Sequence, residues 1–336
     1  MKLDFSLTGI GTREAAAAAL KAEQVGFEGV WTSESVSDGL MMSMGAVLAT
    51  SSVDVASAIV VAFARNPMLT AYASWDLASA SSGRFSLGIG TQTRAHVQRR
   101  FCMPWSQPVQ RVVDFVGATR AIWSSWQTGE PLNYEGEFYR HSLMTPMFTP
   151  PHHDFPLRIL GSAVGPRMTE AVGRHFDGLI GHPFVTTAYF DDVIAPALGD
   201  ARDNPTRDFT IFAPLILLIG DDDEAIALER TRARQQLAFY GSTPEYRGVL
   251  ESIGKGELQE KLHAMSRQNQ WEKMGDLIDD DLLDATTISG TPESVVYQVH
   301  ERWGQRLDRV SSISGWPTTL EPDRLRALTA LSRELA

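Results

Sequence analysis

Two stretches of the chain combine glycine with polar side chains in the order that ligand-binding loops use. The first is Arg84-Phe-Ser-Leu-Gly-Ile-Gly-Thr91, followed by Gln-Thr-Arg-Ala-His96. Its apolar part predicts a buried strand, and Gly90 allows the backbone to approach a ligand closely. Thr91 and Gln92 then come just after the strand's carboxyl end, where α/β proteins bind ligands. A strand exit loosened by glycine, without a ligand, is the alternative interpretation.

The second stretch is Gly161-Ser162-Ala163-Val-Gly165-Pro-Arg167. A predicted strand enters a glycine-containing turn that opens a helix, and this arrangement points free backbone N–H groups at an anion. The hydroxyl of Ser162 and the guanidinium of Arg167 would suit a phosphate. The stretch lacks the Gly-Lys-Ser/Thr ending of a P-loop. The alternative interpretation is an ordinary turn between a strand and a helix.

Glu34 and His96 are the candidate catalytic residues. Glu34 ends a predicted buried strand, so it is either a structural carboxylate satisfied by backbone donors or an active-site acid. His96 follows a strand exit, as does His182, and either ring could contact a ligand. The pair His152-His153 has no metal-ligand spacing, and we predict no metal site.

Composition narrows the class of ligand. The 336 residues carry a formal net charge of −11, which argues against a nucleic-acid surface. Cys102 is the single cysteine, so no internal disulfide forms and a reducing cytoplasm is expected. The apolar run from Ile211 to Ile219 is too short to span a membrane. These features predict a cytoplasmic protein that binds a small molecule.

The pattern of elements predicts an α/β fold. Eight strand candidates lie near residues 3, 29, 54, 85, 157, 177, 209 and 309, the third running over 53–62, and each precedes a helix. Eight parallel βα units are what a closed (β/α)₈ TIM barrel needs, and a doubly wound open sheet is the alternative. We expect one domain over 1–336, with insertions at about 130–156 and 243–285. In a barrel the polar strand exits converge on one mouth.

Four segments in this order resemble one known family. The chain is similar to the bacterial-luciferase-like flavin and deazaflavin oxidoreductases, especially the branch that uses coenzyme F420. The matching segments are Ala56-Ser-Ala-Ile-Val-Val-Ala-Phe-Ala-Arg-Asn-Pro67, Gly83-Arg-Phe-Ser-Leu-Gly-Ile-Gly-Thr91, Arg158-Ile-Leu-Gly-Ser-Ala-Val-Gly-Pro166 with Asp177-Gly178, and Ser289-Gly-Thr-Pro-Glu-Ser294.

The resemblance implies a luciferase-like barrel, usually dimeric, with F420 lying across the strand ends. It implies hydride transfer between the deazaflavin and a small organic substrate. Ser57-Ala58 match the position of the family's non-proline cis peptide, and Glu34 matches its acidic position. The cofactor-binding residues that the resemblance implies are Ser57, Ala58, Gly90, Thr91, Gln92, Gly161, Ser162, Ala163, Gly165 and Arg167.

Two positions depart from the family's dehydrogenases, and two alternatives stay open. Sugar-phosphate and alcohol dehydrogenases of the family have His and Glu where this chain has Ser35 and Thr93. The resemblance therefore does not extend to oxidation of those substrates.

An FMN-dependent monooxygenase on the same barrel is one alternative, because FMN also presents a ring system and a phosphate. A flavin-binding protein without turnover is the other.

Overall fold

The computed structural model describes residues 1–199, 201, 208–316 and 320–336. Its centre is a closed barrel of eight parallel strands, in which the last strand pairs with the first strand on one side and with the seventh on the other. The barrel strands are β1 (Lys2–Leu7), β2 (Gly29–Thr32), β3 (Asp54–Ser57), β5 (Phe85–Gly90), β8 (Arg158–Ser162), β9 (Gly178–Ile180), β10 (Thr210–Ile219) and β12 (Arg309–Ser312). The predicted (β/α)₈ barrel and all eight strand candidates are confirmed.

Helices surround the barrel. Five of them are labelled here: α1 (Thr12–Gln24), α2 (Gly39–Ala49), α3 (Pro67–Ala80), α4 (Pro108–Thr128) and α5 (Pro166–His175). The later helices are Thr187–Tyr189, Ala195–Leu198, Asp223–Gly241, Arg247–Glu251, Gly256–Arg267, Trp271–Met274, Asp280–Thr286, Pro292–Trp303 and Pro322–Glu334. None of the helices in the described residues is long and apolar enough to cross a membrane.

Three short strands lie outside the barrel, and two of them form a hairpin. A hairpin of β6 (Tyr134–Glu135) and β7 (Arg140–His141) lies between α4 and β8. The sequence pattern did not predict the strand β11 (Thr287–Gly290). It pairs with the carboxyl-terminal half of β10, beyond the barrel. The assignment of the whole chain to one domain with two insertions stays a prediction.

The third strand is shorter than predicted. Strand β3 ends at Ser57, and β4 (Val60–Val61) resumes pairing with β5 after two residues. Ala58 and Ile59, the two residues between β3 and β4, are joined by a cis peptide bond. The apolar run therefore contains a bend at the barrel mouth, although its hydrophobicity looks continuous in the sequence.

Aromatic and apolar side chains fill the barrel interior. Trp31, Leu160, Ile180 and Phe212 form one buried cluster there. The rings of Trp31 and Phe212 stack with their centroids 3.6 Å apart and their planes 4° from parallel. A second and larger apolar layer separates the barrel from its helices. The barrel is consequently a packed core and not a channel.

A buried ion network closes the amino-terminal end of the barrel. Asp4 is fully buried and accepts from Arg309 Nε at 2.7 Å and Nη2 at 2.9 Å. Trp31 Nε1 donates to the same carboxylate at 2.7 Å, and Arg309 Nη1 contacts Asp54 at 2.5 Å. A Cβ atom at Gly29 would lie 2.2 Å from Arg309 Nη2, so only glycine fits beside this network. The network ties β1, β2, β3 and β12 together.

We predict that Arg309→Met lowers the free energy of unfolding by about 3–5 kcal/mol, because it leaves the Asp4 carboxylate buried without its cation. Urea denaturation followed by far-UV circular dichroism measures the change. Arg326→Met is the matched control, since Arg326 pairs with the exposed Asp323 and should cost about 1 kcal/mol or less. Equal losses for the two variants would contradict the prediction.

Candidate active site

The carboxyl ends of β2, β3, β5, β8 and β9 lie side by side at the barrel mouth. At Gly90, the last residue of β5, the segments that follow β3 and β8 come close to the strand. A Cβ atom at Gly90 would lie 3.0 Å from Ile59 Cδ1 and 3.2 Å from Ser162 Cβ. The tertiary structure therefore brings the predicted cofactor-binding segments at 57–58, 90–92 and 161–165 to one edge of the barrel.

The cis peptide bond is one residue later than predicted. The family resemblance implies a cis bond at Ser57-Ala58, and the structure has it at Ala58–Ile59. Ser57 still belongs to the ladder, paired with Thr32, and the Ala58 N–H donates to the Thr32 carbonyl at 2.6 Å. The Ser57–Ala58 peptide unit is therefore part of the ladder with β2. Ile59 then presents its carbonyl to the Glu34 N–H at 3.1 Å.

The hydroxyl of Ser57 joins two strands. It donates to the Gly88 carbonyl at 2.8 Å and accepts from the Gly88 N–H at 2.9 Å. A Cβ atom at residue 88 would lie 1.7 Å from the Ser57 carbonyl oxygen. The contacts of the Ser57 side chain are therefore structural, and they hold the start of the cis turn against β5.

Glu34 lies at the mouth in an ion pair that the sequence analysis did not predict. Its side chain is 9% exposed, and Oε2 lies 2.6 Å from Arg65 Nη2. The same Arg65 nitrogen lies 2.8 Å from Asp38 Oδ2, and the Val61 N–H donates weakly to Glu34 at 3.4 Å. Arg65 thus bridges the exits of β2 and β3. The polar segment Arg65-Asn66-Pro67 after the third strand was the signal that could have identified it.

The charges of this triad support each other. Burial alone would raise the pKa of Asp38, but hydrogen bonds from Arg65 and from two backbone N–H groups lower it below its usual value. Burial opposes the charged form of Arg65 as well, and Glu34 and Asp38 outweigh it and raise the pKa of Arg65. Asp38 also caps α2 by accepting from the Leu40 N–H at 2.9 Å. The mouth therefore holds a fixed cation between two carboxylates.

Hydrogen bonds within the loop after β5 hold its first residues, and its histidine is exposed. Gln92 has a positive φ of 60°, and its Oε1 accepts from the Thr93 N–H at 2.9 Å. The hydroxyl of Thr91 donates to the Gln92 carbonyl at 3.2 Å. His96 begins an exposed π-helical turn that is closed by the Phe101 N–H. Within the described residues, no hydrogen bond or ion pair joins His96 to Glu34.

The turn after β8 leaves polar groups available. Gly165 caps α5 without a side-chain acceptor, so the first turn of the helix keeps N–H groups that have no intrahelical partner. Among the described residues, the Ser162 hydroxyl has no hydrogen-bond partner and Arg167 has no ion pair. Gly161 has a different role, because a Cβ atom there would lie 2.6 Å from Val172. Its lack of a side chain lets α5 pack against β8.

A cluster of three rings, here called the aromatic cluster, lies beyond the end of β9. The ring of His182 stacks on Tyr246 at a centroid distance of 4.4 Å and meets Tyr240 edge-on at 4.9 Å. Tyr240 comes from the helix Asp223–Gly241, and Tyr246 comes from the predicted insertion near 243–285 that follows it. Burial lowers the pKa of His182 to about 3, so its imidazole is neutral. His182 was recognised from the sequence, whereas its two partners were not.

Comparison with known proteins identifies the family. Residues 4–309 match the family described as luciferase-like monooxygenase. An uncharacterised protein of Mycobacterium tuberculosis is 44% identical over 317 residues, which cover 93% of each chain. The 5,10-methylenetetrahydromethanopterin reductase of Archaeoglobus fulgidus is 26% identical, over 94% of this chain and 92% of the reductase.

Solved structures share the fold. The coenzyme F420-dependent tetrahydromethanopterin reductase of Methanopyrus kandleri superposes with a TM-score of 0.75 at 18% identity, covering 97% of this chain and 96% of that one. Barrels of the same fold include an FMN-bound Baeyer-Villiger monooxygenase of Pseudomonas putida, with a TM-score of 0.65 at 16% identity over 100% of this chain and 98% of that one. From the match over residues 4–309, the chain belongs to the luciferase-like monooxygenase family.

Proposed function

We propose that this protein is an F420-dependent oxidoreductase that transfers a hydride between the deazaflavin and a small organic substrate. One observation carries the proposal. The start of α5, which has no side-chain cap, lies at the barrel mouth with the converging exits of β3 and β5 and with the Ser162 hydroxyl, which has no partner among the described residues. This combination offers an anion site beside a surface that could support a planar ring. A homodimer, expected from the family resemblance, is part of the same proposal.

The donors present at the turn after β8 suit a phosphate. The Thr169 N–H already donates to the Gly165 carbonyl at 3.1 Å, and Pro166 has no N–H. The N–H groups of Arg167 and Met168 are therefore the ones available to an anion, together with the Ser162 hydroxyl and the Arg167 guanidinium. A negative phosphate would also be favoured by the positive end of the helix dipole.

The exits of β3 and β5 would support the ring system. Ala58, Gly90, Thr91 and Gln92 present mostly small side chains and backbone there, and the Ser57–Gly88 hydrogen bonds hold the two strands together. A bound deazaflavin would supply the hydride chemistry. The protein would orient the ring and the substrate and exclude water from the space between them.

Glu34 and His96 remain the candidate catalytic residues. Glu34 would supply a negative charge at the mouth, held in place by Arg65 at 2.6 Å. His96 is exposed on the loop after β5, where it would contact a substrate that covers this loop. The relatives support the reaction class, since the chain is 26% identical to a methylenetetrahydromethanopterin reductase.

An FMN-dependent monooxygenase is the second candidate function. The same helix terminus would accept the phosphate of FMN, and an FMN-bound monooxygenase has this fold. A flavin-binding protein without turnover is the third candidate, because the Glu34 carboxylate is already engaged by Arg65.

We expect F420 to bind the purified apoprotein saturably and more tightly than FMN. The measurement is a titration with each cofactor in turn, followed by cofactor fluorescence. Free phosphate at increasing concentration should compete with the bound cofactor if its phosphate occupies the start of α5. Tighter binding of FMN would favour the monooxygenase, and binding of neither cofactor would refute the proposed site.

Gly165 offers a charge test of the phosphate site. Its φ is ordinary and a Cβ atom there would contact nothing within 4 Å, so side chains fit. We predict that Gly165→Asp weakens F420 binding at least about tenfold, because the new carboxylate would cap α5 and repel a phosphate. Gly165→Asn is the matched control, since it caps the helix without charge. The melting temperatures of both variants should equal or exceed that of the parent. Similar affinity for both variants would place the phosphate elsewhere.

Glu34 and Asp38 allow a second matched comparison, because each carboxylate forms an ion pair with Arg65. We predict that Glu34→Gln weakens F420 binding about fivefold, since it loosens the contact between the exits of β2 and β3 behind the proposed ring site. Asp38→Asn should change the dissociation constant less than about twofold, because Asp38 lies at the exposed side of Arg65. Equal effects of the two variants, measured by the same fluorescence titration, would show that Glu34 has no special role.

A further inference from the structure

The aromatic cluster lies next to the proposed cofactor site. Strand β9 pairs with β8, and Ile180 is in register with Ser162. The side chain of Ile180 belongs to the barrel interior, and His182 follows two residues after this last residue of β9. His182 also lines one cavity together with Ala163 and Val164 of the turn after β8. A ligand at that turn would therefore have the aromatic cluster as its neighbour.

The aromatic cluster carries hydrogen-bond donors for which the described residues supply no acceptor. His182 Nδ1 accepts from the Phe184 N–H at 3.1 Å, which leaves the hydrogen of the neutral ring on Nε2. Tyr240 Oη accepts from Gln236 Nε2 at 2.9 Å, which leaves its own hydrogen for another acceptor. In the described part of the chain, neither His182 Nε2 nor Tyr246 Oη has a partner. Three donors on flat rings are thus available at one place.

All three donors are uncharged. Burial lowers the pKa of His182, and burial raises the pKa of Tyr240 and of Tyr246, so none of the rings ionises near neutral pH. The charge of Glu245 raises the pKa of Tyr246 further. Among the described residues, no lysine or arginine forms an ion pair or hydrogen bond with any of the three side chains. An anionic group would find donors here but no cation to offset its desolvation.

We propose that the aromatic cluster is the substrate subsite of this enzyme, and that it selects a flat apolar compound carrying a neutral carbonyl oxygen over a phosphorylated one. The rings would pack against the apolar body, and the hydroxyl and imidazole hydrogens would meet the carbonyl oxygen. The inference rests on the proposed function for its role in hydride transfer. The binding preference itself follows from the cluster.

Isothermal titration with two probes tests the preference. Acetophenone is the carbonyl probe, and phenyl phosphate presents the same ring with an anion. Each is titrated into the apoprotein and into the protein mixed with F420. The variants are Tyr246→Phe and Tyr240→Phe, which remove one hydroxyl and keep the ring. Tyr297→Phe is the matched control, because Tyr297 is 53% exposed and lies on the helix Pro292–Trp303.

We expect saturable binding of acetophenone and at least about tenfold weaker binding of phenyl phosphate. Tyr246→Phe and Tyr240→Phe should each weaken acetophenone binding about three- to tenfold, which is the effect of losing one neutral hydrogen bond. Tyr297→Phe should leave it unchanged, and all three melting temperatures should match the parent. Loss of affinity without loss of stability separates recognition from a structural role.

Two results would overturn the inference: equal binding of both probes, or acetophenone binding that both cluster variants leave within twofold of the parent. The two proposals fail separately. If F420 does not bind but acetophenone binds in a manner sensitive to Tyr246→Phe, the cofactor assignment falls and the subsite stands. If F420 binds and the cluster variants have no effect on acetophenone, the subsite falls and the cofactor assignment stands.

Discussion

Closure of the parallel barrel is the constraint on which the rest of this structure depends. Strand β12 pairs with β1 on one side and β10 on the other, so each barrel strand has a neighbour on both sides. Because all eight strands are parallel, their carboxyl ends must meet at one mouth. The opposite end holds the Asp4–Arg309 ion network, and the stacked rings of Trp31 and Phe212 pack the interior. The proposed cofactor and substrate sites lie at that mouth.

Close approach between neighbouring strands then shapes that mouth. Two hydrogen bonds connect the Ser57 hydroxyl with the Gly88 backbone, and a Cβ atom at Gly88 could not fit. Two residues further along β5, a Cβ atom at Gly90 would come close to the side chains of Ile59 and Ser162. These positions lack side chains because other strands come near them, and the same closeness leaves backbone and small side chains facing the mouth. A planar cofactor could lie on such a surface without displacing large groups.

Charge divides the mouth into regions with different chemistry. Arg65 is held between Glu34 and Asp38 at the exits of β2 and β3, so its charge is neutralised within the protein. Within the residues that the structure describes, the start of α5 keeps free donors and an arginine without an ion pair, which suits an anion. The aromatic cluster beyond β9 offers donors without charge. The proposed enzyme would use the second region for its cofactor and the third for its substrate.

The sequence by itself determined the barrel, because hydrophobic runs, glycine turns and helix caps are local signals that repeat eight times in a fixed order. It also identified the turn at 161–167 and the acid at Glu34. Tertiary structure alone decided which groups meet. Arg65 reaches Glu34 across 31 positions of the chain, and His182 meets Tyr240 and Tyr246, which follow it by about 60 residues. The structure also has the cis bond at Ala58–Ile59 where Ser57-Ala58 was predicted, and it contains the strand β11, which was not predicted. Such contacts depend on strand register and on the course of an insertion, and neither leaves a local pattern in the sequence.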